Sequence, residues 1–179
     1  MSSVQIVNYR NDKINPFALF DSDFENLGEQ LSVTLPRICR FWGQTNIFYS
    51  VAQHCLSMAE YFKGDEKLQK YALLHEVFEG FSFDCATPIK RMLPAYKKAE
   101  ERALQSAARI HGLEWPFPDI IKTVDKGLMV MKGESLMNAD AGYWRQHGEP
   151  VGALYKPDAP MEWIRKDFIN LFLELFGEK

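Results

Sequence analysis

The sequence predicts an all-α fold, a compact single-domain helical bundle, on two observations. From Asp23 onward almost every segment repeats its apolar residues at three- and four-residue steps, the period of a helix face. A hydrophobic content of 46% in 179 residues supplies one well-packed core and leaves no need for a second, so the domain is read as residues 1–179. At the N-terminus, Val4 to Val7 reads as a short strand and Asn8 to Phe20 as turns. Helices are then expected over Asp23 to Leu31, Pro36 to Phe41, Tyr49 to Lys63, Glu66 to Gly80, Ala95 to His111, Pro118 to Met137 and Ala159 to Phe176. Ser50 is placed to cap the third of these, and Pro118 stands at a plausible start of the sixth. The loops are Gly43 to Phe48, Phe81 to Pro94, and a longer Gly- and Pro-bearing stretch from Ala139 to Lys156, in which His147 reads as solvated. His111 precedes Gly112 at a helix end, where a cation suits the helix dipole.

Charge and cysteine usage narrow the classes of function. A net charge of -3 with interspersed signs gives no basic stripe for a nucleic-acid duplex, so a small-molecule partner is expected. Cys39, Cys55 and Cys85 are odd in number and lack CxxC spacing, which reads as reduced thiols. With no signal-peptide pattern and no apolar run of spanning length, the expectation is a cytoplasmic chain that does not enter a membrane.

Three of the helical stripes carry a residue that does not belong on an apolar face. In Tyr49 to Lys63 the stripe Val51, Ala52, Cys55, Met58, Ala59, Phe62 turns His54 inward. In Glu66 to Gly80 the stripe Leu68, Tyr71, Ala72, His75, Phe78, Glu79 does the same for His75 and sets Glu79 one turn beyond it, while Glu76 lies about 100° away and within reach of the same ion. In Pro118 to Met137 the stripe Ile121, Val124, Asp125, Leu128, Met131 makes Asp125 an inward carboxylate. Each anomaly alone has an ordinary explanation as a hydrogen-bonded core residue. One divalent metal shared by His54, His75, Glu76 and Asp125 satisfies all of them at once.

The segment Arg37-Ile38-Cys39-Arg40-Phe41-Trp42-Gly43, the run Phe48 to His54, the block Leu73 to Asp84 followed by Thr87-Pro88-Ile89-Lys90, and Val124-Asp125 together resemble the HD-domain metal-dependent phosphohydrolases. Within that family the likeness is to the small branch of bacterial 5'-deoxynucleotidases and phage deoxynucleoside triphosphate triphosphohydrolases. It covers roughly residues 24 to 137. The resemblance implies an all-helical bundle of HD type and a metal site of H…HD…D type falling on His54, His75, Glu76 and Asp125. The chain departs from that pattern in one place, His-Glu for His-Asp. Glu is a competent oxygen ligand whose extra methylene carries the carboxylate about 1.5 Å further out.

Several roles follow from the resemblance. Glu79 and Asp84 resemble the acidic pair that orients water and handles protons. Arg40 and Lys90 are the cations expected on phosphate, with Phe41 and Trp42 against the base or sugar edge. The expected cofactor is one divalent ion, with cobalt, manganese, zinc, iron, nickel and magnesium all open. The expected activity is hydrolysis of a deoxyribonucleotide, as a 5'-nucleotidase on monophosphates or a triphosphohydrolase on triphosphates. The alternatives are a phosphodiesterase on a small cyclic or linear nucleotide, and a non-catalytic metal- or nucleotide-binding module of HD type. The apolar band of the last helix, from Trp163 to Phe176, serves the core or a subunit contact, which leaves a homo-oligomer open.

Overall fold

A computed structural model describes residues 5–138 and 140–177, with eight α-helices among them, several 3-10 turns and one two-stranded hairpin. Val4 and Ala139, included above in the first strand and the third loop, lie outside the described residues. The hairpin pairs β1 (Ile6–Val7) with β2 (Lys13–Ile14) in antiparallel register, so the stretch read as turns holds a second strand and a 3-10 turn at Pro16–Ala18. The helices follow as α1 (Leu27–Thr34), α2 (Val51–Tyr61), α3 (Glu66–Leu74), α4 (Thr87–Lys90), α5 (Pro94–Ile110), α6 (Asp119–Leu136), α7 (Ala141–Arg145) and α8 (Met161–Phe176). The all-α class holds.

Helix α2 is the axis of the bundle and packs against α3, α6 and α8. Its start is fixed by a reciprocal cap: Ser50 Oγ accepts the Gln53 N–H at 3.2 Å while Gln53 Oε1 accepts the Ser50 N–H at 2.9 Å. Every residue from Val51 to Ala59 is buried, the signature of a helix enclosed on all sides. Asp65 caps α3 through the Leu68 N–H, and α8 closes the core by laying Ile164, Phe168 and Phe172 against it. Trp163, the first aromatic of the expected α8 band, is exposed. Among the described residues no helix is long and apolar enough to cross a membrane.

The departures from the expected helices fall mostly around one place. The Asp23 to Leu31 helix begins later, at Leu27, after a 3-10 turn over Asp21–Phe24. Pro36 to Phe41 is not an α-helix. It is two 3-10 turns, Leu35–Arg37 and Arg40–Gly43, because Arg40 N–H bonds the Tyr49 carbonyl at 2.8 Å and Val51 N–H bonds the Ile38 carbonyl at 2.9 Å. That bridge takes the backbone groups a helix would need, and Phe41 and Trp42 adopt left-handed φ values of 52° and 55°. Such a conformation costs a non-glycine residue about 1–2 kcal/mol.

The Glu66 to Gly80 helix likewise ends at Leu74. Beyond it the bonds Val77 N–H to Leu74, Glu79 N–H to Glu76 and Gly80 N–H to Val77 are all i to i−3, running into a 3-10 turn at Glu79–Phe81. The tight turn brings Gly80 against α1, where a Cβ would stand 2.4 Å from Leu31 Cδ2. The two loops expected to be irregular contain the short helices α4 and α7.

Candidate metal centre

The overwound turn decides which acidic groups meet. With three residues per turn, positions i and i+3 eclipse, so Glu79 stacks over Glu76 and not, as the α-helical spacing suggested, over His75. His75 keeps its own place as the cap residue of α3, its Nδ1 held 2.7 Å from the Ala72 carbonyl and its Nε2 turned toward α2. There it meets His54 Nε2 at 2.9 Å. Glu76 Oε1 lies 3.4 Å from His54 Nε2 and 3.7 Å from His75 Nε2, and Asp125 Oδ1 on α6 lies 2.9 Å from His54 Nε2. One donor atom from each of the four residues falls within 4.8 Å of the others.

These distances fit an ion. Donors bound at the usual 2.0–2.2 Å stand about 2.8–3.6 Å apart when adjacent in a tetrahedral or octahedral shell. Without one, the arrangement is poorly satisfied. The two imidazole Nε2 atoms face each other with room for a single proton, and the buried Asp125 Oδ1 has no aligned hydrogen-bond donor among the described residues despite its closeness to His54. The cluster of His54, His75, Glu76 and Asp125 could therefore hold a metal ion through two imidazoles and two carboxylates. Glu76 reaches the cluster in spite of its extra methylene.

An ionic layer lies against the cluster. Arg40 Nη1 alone contacts three carboxylates, Glu76 Oε1 at 2.9 Å, Asp84 Oδ1 at 2.9 Å and Glu79 Oε2 at 3.6 Å. Although burial pushes the Glu76 carboxyl up, Arg40 and the two histidines hold it well below the ordinary range. Glu79 moves the other way: burial first, then the charge of Glu76, raises it well above the ordinary range and favours its protonated form. Burial also raises Asp84. Burial and then the charges of Lys132 and Arg40 lower His54 to about 4, which keeps the imidazole neutral and able to act as a ligand.

Lys132 is a residue the sequence reading missed. It is fully buried on α6, two turns beyond Asp125, and its Nζ contacts His54 Nδ1. Burial, followed by the charge of Arg40, pushes it down to about 7. The signal was present, since Lys132 continues the stripe Asp125, Leu128, Met131 that had already turned a carboxylate inward.

The other expected substrate residues divide. Arg40, Glu79 and Asp84 join the cluster, and Trp42 edges it, its half-exposed ring donating from Nε1 to the Asp84 carbonyl at 3.2 Å. Phe41 turns away to pack on Trp144 at 5.7 Å between centroids. Lys90 is committed elsewhere, ion-paired with Glu100 and 5.5 Å over the Tyr96 ring. Cys55 and Cys85 are buried thiols and Cys39 is partly buried, all free. His111 caps α5 against the rings of Phe172 and Phe176, and His147 is half-buried against Tyr143 and Trp144.

No protein-family model matches the chain. Its sequence is 30% identical over 133 residues to the uncharacterized protein YfdR of Escherichia coli strain K12, a match that spans 74% of this chain and 70% of that protein. On that extent of shared sequence, the chain belongs to the YfdR family.

Proposed function

We propose that this chain is a metal-dependent phosphohydrolase of HD type, acting in the cytoplasm on small deoxyribonucleotides through one bound divalent ion. The observation that carries the proposal is the meeting of His54, His75, Glu76 and Asp125 within 4.8 Å, directly beside Arg40, Glu79 and Asp84. His54, His75, Glu76 and Asp125 would hold the ion. When bound, such an ion supplies a nucleophilic water near neutral pH and offsets charge on the phosphoryl oxygens. The mixed nitrogen and oxygen donors suit cobalt, manganese, zinc, iron or nickel better than magnesium, which favours an all-oxygen shell.

The chain's own groups supply the rest. Arg40 spends only Nη1 on carboxylates, so its remaining guanidinium nitrogens serve a phosphate oxygen. Glu79, whose affinity for a proton is raised by burial and by Glu76, gives a proton to the departing 5' oxygen. Asp84, fixed by Arg40, orients the attacking water. Attack at the α-phosphorus accounts equally for monophosphates and triphosphates.

A second reading rests on the pairing of Lys90 with Glu100, which withdraws one expected phosphate cation and favours a binding module of the same fold without turnover. Metal analysis of the purified protein with a phosphate-release screen over deoxynucleoside mono- and triphosphates and cyclic dinucleotides tests both. The expected result is about one transition ion per chain and release from a deoxynucleotide. Metal without turnover on any of them selects the binding module, and no metal removes the proposal.

A further inference from the structure

The segment that carries Arg40 is suspended from the far end of α6. Its base is closed by the Cys39–Ser50 bridge, with the Arg40 N–H on the Tyr49 carbonyl. Its outer arc is tied at Asn46, whose N–H bonds the Leu136 carbonyl at 2.8 Å and whose Nδ2 bonds Asn138 Oδ1 at 3.1 Å. Between these ties stand the two left-handed residues Phe41 and Trp42, and the packing partner of Phe41 is Trp144 of α7.

Trp144 is itself seated with unusual closeness. It is 8% exposed and lies on Gly133 of α6, where a Cβ would come within 2.1 Å of its ring. Its indole N–H is buried with no acceptor among the described residues, an arrangement that costs free energy and so argues against stability as the reason for the ring's position. The ring edge-packs on Phe41, at 76° between planes, next to the turn from which Arg40 reaches back to Glu76 and Asp84.

We infer that Trp144, outside the motif-bearing stretch, is a positioning residue that sets Arg40 over the acidic groups by bracing Phe41, with Gly133 as its seat. The inference rests on the phosphohydrolase reading for its role in phosphate binding, and on the contacts alone for the coupling between Trp144 and Arg40.

Four variants test it: Trp144→Ala, Trp144→Phe, Gly133→Ala and Arg40→Ala, with the double variant Trp144→Ala/Arg40→Ala. Gly133→Ala displaces the ring while favouring the helix, so it reports on positioning even if Trp144→Ala does not fold. In steady-state kinetics on a deoxynucleotide, Trp144→Ala and Gly133→Ala are expected to raise KM about tenfold with kcat within about threefold of wild type and metal content unchanged. Trp144→Phe restores most of the KM, and the double variant is no worse than Arg40→Ala alone. Multiplicative effects in the double variant, or a fall in kcat or metal with KM unmoved, overturn the inference. The same four corners are read in urea unfolding of the metal-free protein, which needs no turnover. Non-additive shifts of the midpoint support the coupling even if no nucleotide is hydrolysed, and strictly additive shifts refute it even if one is.

Discussion

The site draws its groups from two kinds of backbone, and on the proposed function the regular helices contribute only to holding, while the irregular segments both complete the ligand set and carry the proton chemistry. His54, Asp125 and Lys132 stand on the long regular helices α2 and α6, whose hydrogen-bond ladders and packed neighbours leave the side chains little freedom. Arg40, Glu76, Glu79 and Asp84 stand on turns and loops that depart from the α-helix, with His75 at the junction. A helix spaces inward groups by three or four residues on one stripe, which suits ligands that must not move. The overwound turn packs Glu76 and Glu79 together and the left-handed turn aims Arg40 at both. On the proposed function this closeness matters for proton chemistry, because burial first and then the charge of Glu76 raise the affinity of Glu79 for a proton.

The sharpest way to break the comparison is to remove one group from each side. His54→Ala takes a ligand from the sealed helix α2, and metal content is expected to fall at least a hundredfold in affinity, read by elemental analysis and cobalt titration. Retention of a full equivalent of metal would mean the helical side does not hold it. Glu79→Gln on the irregular side is expected to keep the metal and lose about a hundredfold in kcat, as when a proton-handling group is removed. Loss of metal in Glu79→Gln would instead make it part of the holding shell.

A third measurement uses pH. The Lys132 amine, lowered from 10.5 to about 7 in the fold, binds its proton in the unfolded chain throughout that interval, so the unfolded state holds more protons and stability rises with pH there. In chelator-treated protein, wild type should gain stability relative to Lys132→Met between pH 7 and 10, by up to about 1.4 kcal/mol per pH unit. Parallel pH profiles for the two proteins would place a charged lysine, fully compensated, beside His54.

The smallest effect sharpens the helical side alone. Ser50→Ala removes the hydroxyl cap of α2 and should cost about 1 kcal/mol in urea unfolding with metal stoichiometry intact. A cost near zero would show that Gln53, through its own bonds to the Tyr155 and Lys156 carbonyls, fixes the start of α2 unaided.

The same division explains what could be read from the sequence. Apolar spacing marked α2, α5, α6 and α8 nearly to their ends, because their packing and their local hydrogen bonds agree. It extended the helix past Leu74 because His75, Phe78 and Glu79 keep a helical rhythm, while the i to i−3 bonds that replace it are set by Gly80 closing on Leu31 of α1, a contact remote in sequence. It read Pro36 to Phe41 as helix because the bridge from Ile38 to Val51 is equally non-local. The grouping of His54, His75, Glu76 and Asp125 survived both errors, since inward direction depends on residue type and neighbourhood more than on pitch. The partner choices did not: Glu79 pairs with Glu76, and Lys90 with Glu100.

Arg40 Nη1 has a consequence for how the protein comes into being. Glu76 and Asp84, brought together in a folded interior, repel one another when both are ionised, and a chain that relied on an ion to cancel that repulsion would have to wait for it before folding. Here a guanidinium from the same chain sits among Glu76, Glu79 and Asp84 at 2.9, 3.6 and 2.9 Å, supplying the countercharge from within. The finished bundle is thereby expected to form first and be metallated afterwards, so that the cell's supply of the ion governs how much of the protein is loaded and leaves the amount that folds unchanged.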